Sequence, residues 1–176
     1  MSLPLMRPRW RGLFALPALV AGLVLLSGSA EAAPRPIKSA SAEREIARCI
    51  QVASAGRSWL EKTLWGLRDQ EAGWIGAEVP NSNGSHDLGP LQVNSFWVPR
   101  LASLTQRPAE QVRSWLINDP CFNVQAARWI FLEGLKLTQS YWGAVGIYHS
   151  PTQWRQRRYV NSVSMHMRKR FGEQIF

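Results

Sequence analysis

From Ser41 to Phe171 the apolar positions recur mostly at spacings of three and four residues, the period of a helix and not of a strand. Ser41 can cap a first run in which Ile46, Cys49, Ile50 and Ala53 share a face, and Gly56 ends it. A second run from about Arg57 to Ala72 sets Leu60, Leu64, Leu67 and Glu71 on one stripe and stops near Gly73. The pattern lapses over 76–86, where Pro80, Asn81, Asn83 and Gly84 supply loop and turn chemistry. The short segment from Leu88 to Val93 allows extended structure, a small β-hairpin near 86–93.

Helical periodicity then resumes. Asn94 or Ser95 caps a helix to about Leu104, and Pro108 opens another at a position where its missing N–H costs nothing. Asp119-Pro120 joins a cap to a first-turn proline, ahead of a helix with Val124, Ala127, Ile130, Phe131 and Leu135 on one face. Tyr141 to Tyr148 reads as a short apolar helix, and Ser150-Pro151 opens a last one to about Phe171. No internal repeat or low-complexity tract interrupts the series. The expectation is one mostly helical domain over 41–176, α-rich with a small β element.

The first residues carry another pattern. Arg7, Arg9 and Arg11 precede an apolar run from Leu13 to Leu26, followed by Gly28-Ser29-Ala30 and Ala30-Glu31-Ala32. That is the layout of a cleaved export signal, and the run is short for a membrane span, the competing reading. Residues 1–32 are therefore expected to be a signal peptide directing the chain to the periplasm, and 33–40, with Pro34 and Pro36, a short leader. No cysteine stands directly after the run, where a lipid anchor would need one. The two cysteines, Cys49 and Cys121, both lie beyond it, and an exported pair reads as one disulfide; two buried thiols are the alternative.

Few kinds of chemistry fit the remaining residues. His86, His149 and His166 have no metal-ligand spacing, and two cysteines cannot complete a zinc site, so neither metal nor cofactor is expected. There is no phosphate-binding glycine loop and no nucleophile elbow. A Cys121 thiol with His149 as base competes with the disulfide for the same sulfur. Glu71 is more pointed, since a carboxylate ending an apolar stripe is pressed toward the core. Desolvation there raises its pKa and leaves a proton available near neutrality, as a general acid requires. The plain alternative is a helix-end glutamate that escapes to solvent, and the stripe by itself leaves both open.

Three blocks carry a resemblance. Glu-Ala-Gly-Trp at 71–74, Asp-Leu-Gly-Pro-Leu-Gln-Val-Asn at 87–94 and Gly-Ile-Tyr-His-Ser at 146–150 resemble, in order and spacing, the lytic transglycosylases with a lysozyme-like catalytic domain. The closest form is the small one that accompanies type IV and type III secretion, conjugation and pilus systems, which shares an Asp-Pro-Cys helix start like that at 119–121. The similarity covers roughly residues 45–165. It implies a lysozyme-like α+β fold and cleavage of the β-1,4 bond between N-acetylmuramic acid and N-acetylglucosamine in peptidoglycan, leaving 1,6-anhydromuramic ends. By resemblance Glu71 is the catalytic acid and then the base.

The resemblance also implies that Gly89 lets the backbone approach a sugar, that Gln92 contacts substrate, and that Tyr148 hydrogen-bonds the catalytic carboxyl or a sugar. Asn94 reads equally as ligand or helix cap. Ala72 replaces the usual serine and Pro90-Leu91 the usual Leu-Met, departures that put efficiency in question. They sustain a second reading, a weakly active or inactive peptidoglycan-binding scaffold of the apparatus. A hydrolytic muramidase is a third; it needs a second carboxylate, for which Glu78 and Asp87 are the near candidates.

The balance of 21 basic against 12 acidic residues gives a formal charge of +9, and loss of Arg7, Arg9, Arg11 and Glu31 with a signal leaves the chain basic. Arg155, Arg157, Arg158, Arg168, Lys169 and Arg170 crowd the last helix. A basic face attracts polyanions. For an exported chain peptidoglycan carboxylates and anionic membrane surfaces are simpler partners than nucleic acid, and a solvated helix face is the plainest reading of all. Expected partners are glycan strands and subunits of the apparatus.

Overall fold

A computed structural model describes residues 39–175; the expected signal at 1–32 and most of the leader lie outside them. The described chain folds into seven α-helices and one small sheet, the α-rich α+β class that the periodicity predicts. Helix α1 (Ala40–Ser54) and α2 (Ser58–Glu71) come first. Strands β1 (Glu78–Pro80), β2 (His86–Leu88) and β3 (Val93–Asn94) follow. Then come α3 (Val98–Thr105), α4 (Ala109–Asn118), α5 (Pro120–Thr138), α6 (Tyr141–His149) and α7 (Gln153–Phe171).

Local chemistry accounts for most boundaries. Asp119 caps α5, accepting from the backbone amides of Cys121 and Phe122 at 2.9 and 3.0 Å, with Pro120 in the first turn. At α1 the cap is Ser39, not Ser41. Ser39 holds the extended backbone a cap requires and its hydroxyl accepts from the Ala42 amide at 3.1 Å, which puts Ser41 inside the first turn. The stretch 76–86, read from sequence as loop alone, contains β1. Pro80 is tolerated there because the strand is at the sheet edge.

The sheet is antiparallel in the order β1-β2-β3, with Glu78 opposite Leu88 and Asp87 opposite Asn94. The helix expected from Asn94 or Ser95 begins as a 3-10 turn over Ser95–Trp97 and becomes α-helical at Val98.

Helix α5 packs against α1 and α6, while α2 packs against α7. Leu60, Leu64 and Leu67 are fully buried along α2, as the stripe predicts. Cys49 and Cys121 form the expected disulfide, with Cα atoms 4.8 Å apart, joining α1 to the first turn of α5. Among the described residues no helix is long and apolar enough to cross a membrane.

Candidate active site

Glu71 is the last residue of α2, where the chain leaves the helix through Ala72 in the left-handed conformation (φ 51°). Its apolar stripe carries the carboxyl inward, and among the described residues no cation pairs with it. Burial pushes its pKa from 4.5 up to about 7; a hydrogen bond from Tyr159 pulls the other way, and the charge of Asp87 adds to the rise. The proton-bearing form therefore persists to neutrality.

Tyr159 comes from α7 and is buried, and its hydroxyl donates to Glu71 Oε1. Sequence reasoning passed it over. A signal was present: Tyr159, Val163 and Met167 are the buried residues of α7 and recur every four residues, so Tyr159 ends an apolar stripe as Glu71 does. The contact of Gln70 with Ser162, and the Lys62 ammonium 5.9 Å over the Phe171 ring, show that the two helices run in opposite directions. The ends of the two stripes meet. The His149 imidazole stacks on the Tyr159 ring at 4.6 Å with an interplanar angle of 1°.

Tyr148, from α6, does not bond the Glu71 carboxyl here. Its hydroxyl donates to the Leu91 carbonyl at 2.9 Å, and the hydrogen bond to the carboxyl belongs to Tyr159. Tyr148 is nevertheless close enough to feel the site: burial first, then the charges of Glu71 and Asp87, push its hydroxyl pKa well up.

The loop between β2 and β3 is held from behind by Asn123, a fully buried residue of α5. Asn123 donates to the carbonyls of Leu88 and Leu116, each at 2.8 Å, and accepts from the Leu91 amide at 2.9 Å. Gly89 explains how it gets so close. At φ 67° any Cβ would sit 2.1 Å from the Leu116 carbonyl oxygen and 2.5 Å from Asn123 Nδ2. Gly89 thus permits a close approach to the helices behind the loop.

Gln92, in the left-handed region at φ 47°, turns its amide back to the Gly89 carbonyl at 2.8 Å. Asn94 acts as a cap, accepting from the Phe96 amide at 2.9 Å, and donates to Asp87 Oδ1 at 2.8 Å. Glu78, on the edge strand, pairs with Arg113. Asp87 is the second carboxylate whose charge reaches Glu71.

One loop and two helix ends thus surround a protonatable carboxyl with two tyrosines and a neighbouring acid. No family model matches the chain. It is 31% identical over 114 residues to the invasion protein IagB of Salmonella typhimurium, a match covering 62% of this chain and 68% of that protein. It is also 30% identical over 96 residues to the protein IpgF of Shigella flexneri, covering 54% of this chain and 60% of that one. By the extent and identity of the first match, the chain belongs to the family of the invasion protein IagB.

Proposed function

We propose that the protein is a periplasmic lytic transglycosylase that cuts the β-1,4 bond between N-acetylmuramic acid and N-acetylglucosamine. It would open peptidoglycan locally for an envelope-spanning secretion, conjugation or pilus apparatus. Kinship with a protein named for invasion is in keeping with such an apparatus. The observation that carries the chemistry is Glu71, a carboxyl with a pKa of about 7, no cationic partner among the described residues, and a tyrosine hydroxyl directed at it.

In this reading Glu71 begins protonated and gives its proton to the glycosidic oxygen as the C1–O bond breaks. The carboxylate so formed then takes the proton of the muramic 6-hydroxyl while O6 closes on C1, and no water is consumed. Tyr159 stabilises the carboxylate between the two steps by donating to it, and Asp87 prevents that charge from becoming too comfortable. Gly89, Gln92 and Tyr148 contribute by shaping the wall beside the carboxyl.

Wild type incubated with sacculi should release muropeptides ending in 1,6-anhydromuramic acid, read by mass spectrometry. Glu71→Gln should reduce that release by about 10³-fold while the protein stays folded. Indistinguishable, absent activity in both proteins would sink the reading in favour of a scaffold. Asp87 favours one second reading, since it could activate a water opposite Glu71. Products with reducing muramic ends would select that hydrolytic route.

A further inference from the structure

The basic residues of α7 divide into two groups. Toward its C-terminal end Arg170 pairs with both oxygens of Asp69 at 2.6 Å and lies 4.0 Å over the Trp65 ring, and Arg168 faces Glu173. Toward its N-terminal end Arg155 and Arg158 have no ion-pair partner among the described residues. Both line a groove of about 440 Å³ with Trp154, His149 and Gln70, and Tyr159 forms part of its wall.

The helical period explains the convergence. Trp154, Arg155, Arg158, Tyr159 and Ser162 fall at offsets of 0, 1, 4, 5 and 8, which is one face of α7. Tyr159 forms part of the groove wall and its hydroxyl donates to Glu71, so the groove and the Glu71 carboxyl share this one tyrosine as a neighbour. Of the acids around it, Asp69 is already neutralised by Arg170, while the charge of Asp87 reaches His149 in the groove lining.

We infer that this groove is a subsite for the carboxylates of the stem peptide carried by the muramic residue, with Arg155 and Arg158 as its binding groups and Trp154 as an apolar floor. The inference rests on the reading of the substrate as peptidoglycan. Its physical basis is a mismatch between this groove and a sugar. Within the polymer the sugar hydroxyls and acetamides are neutral, the lactyl carboxyl of muramic acid is tied up as an amide to the peptide, and the negative charge is on the peptide. A sugar needs an aromatic face and a few hydrogen bonds. Two guanidiniums without an ion-pair partner among the described residues, that of Arg155 lying 5.4 Å over the half-exposed Trp154 ring, instead suit a planar carboxylate flanked by small alkyl groups.

The test uses two soluble probes that differ only in charge: the disaccharide-dipeptide N-acetylglucosaminyl-N-acetylmuramyl-L-alanyl-D-glutamate, and the same molecule with both glutamyl carboxyls as primary amides. Calorimetric titration of wild type should show the charged probe binding on the order of tenfold more tightly than the amide. In Arg155→Ala/Arg158→Ala that preference should vanish, and it should return in part in Arg155→Lys/Arg158→Lys. Equal binding of the two probes by wild type overturns the inference. So does an undiminished preference in the double-alanine variant, or arginine-dependent capture of phosphatidylglycerol vesicles without discrimination between the probes. Sacculus cleavage measured alongside separates the two levels. Charge-selective binding without cleavage leaves the subsite standing and rejects the enzyme reading; cleavage without charge selectivity does the reverse.

Discussion

Helix α2 brings two ionisable side chains into the interior within one turn, and the fold treats them in opposite ways. Arg68 faces α1, where its guanidinium meets Glu43 at 2.6 Å; the arginine side chain is only 2% exposed. Glu71 faces α7, where it meets a neutral hydroxyl, and feels the repulsive field of Asp87 from β2. A buried charge with an opposite partner becomes part of the structure, because removing either member strands the other. A buried acid without one gives up its charge and holds a proton instead. The same helix therefore supplies a structural pin and a protonatable acid, and the difference lies in what the neighbouring elements present.

The largest way to break the contrast is at the pin. Arg68→Ala removes a large buried side chain and leaves the Glu43 carboxylate unpaired, and it should lower stability in urea unfolding by about 3–5 kcal/mol. Glu43→Gln should cost less than half of that, since Glu43 keeps 37% of its side chain exposed and its partner retains a neutral acceptor. Muralytic turnover per folded molecule should survive both changes. A fall in turnover matching that of a Glu71 variant would mean that Arg68 serves the reaction, and the contrast would collapse.

Only one member of this pair was visible in the sequence. Glu71 stood out because Leu60, Leu64 and Leu67 set a stripe that local periodicity reveals, and α2 is helical enough for the stripe to hold. Arg68 lies four residues past Leu64, at the edge of the same stripe, but nothing in the sequence tells what would pair with a cation there; that α1 brings Glu43 to meet it is a tertiary fact. Tyr159 is a similar case, 88 residues from Glu71 in a helix whose surface is dominated by arginine. Its stripe with Val163 and Met167 was legible, but which helix would meet it was not. Asn123 was hidden for a different reason. One amide serving two backbone groups of a distant loop and one of α4 has no periodic signature at all.

Glu71→Gln should move stability in the opposite direction from Arg68→Ala, by a smaller amount. In the folded protein the Glu71 pKa is raised from 4.5 to about 7, so within that window the folded state holds a proton that the unfolded chain has lost. Stability therefore falls as pH rises through the window and stays lower above it. Glutamine is neutral throughout and escapes the loss. The variant should match wild type near pH 4 and exceed it at pH 8 by about 2 kcal/mol, a figure reduced for the part of the side chain that water still reaches. Parallel unfolding midpoints across that range would contradict a buried, uncompensated acid.

The smallest effect concerns the hydroxyl that, in the proposed reaction, keeps Glu71 usable as a base. The Tyr159 hydrogen bond lowers the Glu71 pKa against the burial that raises it, so Tyr159→Phe should lift that pKa further. The alkaline limb of the cleavage profile should then move to higher pH by up to about one unit, because the acid stays protonated longer. Turnover at the optimum should nevertheless fall by roughly tenfold, since the carboxylate that must form after the first proton transfer has lost its donor. Tyr148→Phe separates this from general damage to the wall. Its hydroxyl is committed to the Leu91 carbonyl, so its loss should weaken turnover with the limb left in place. A limb displaced equally by both variants would show that the two tyrosines share control of the carboxyl, and the division of labour between α6 and α7 would have to be redrawn.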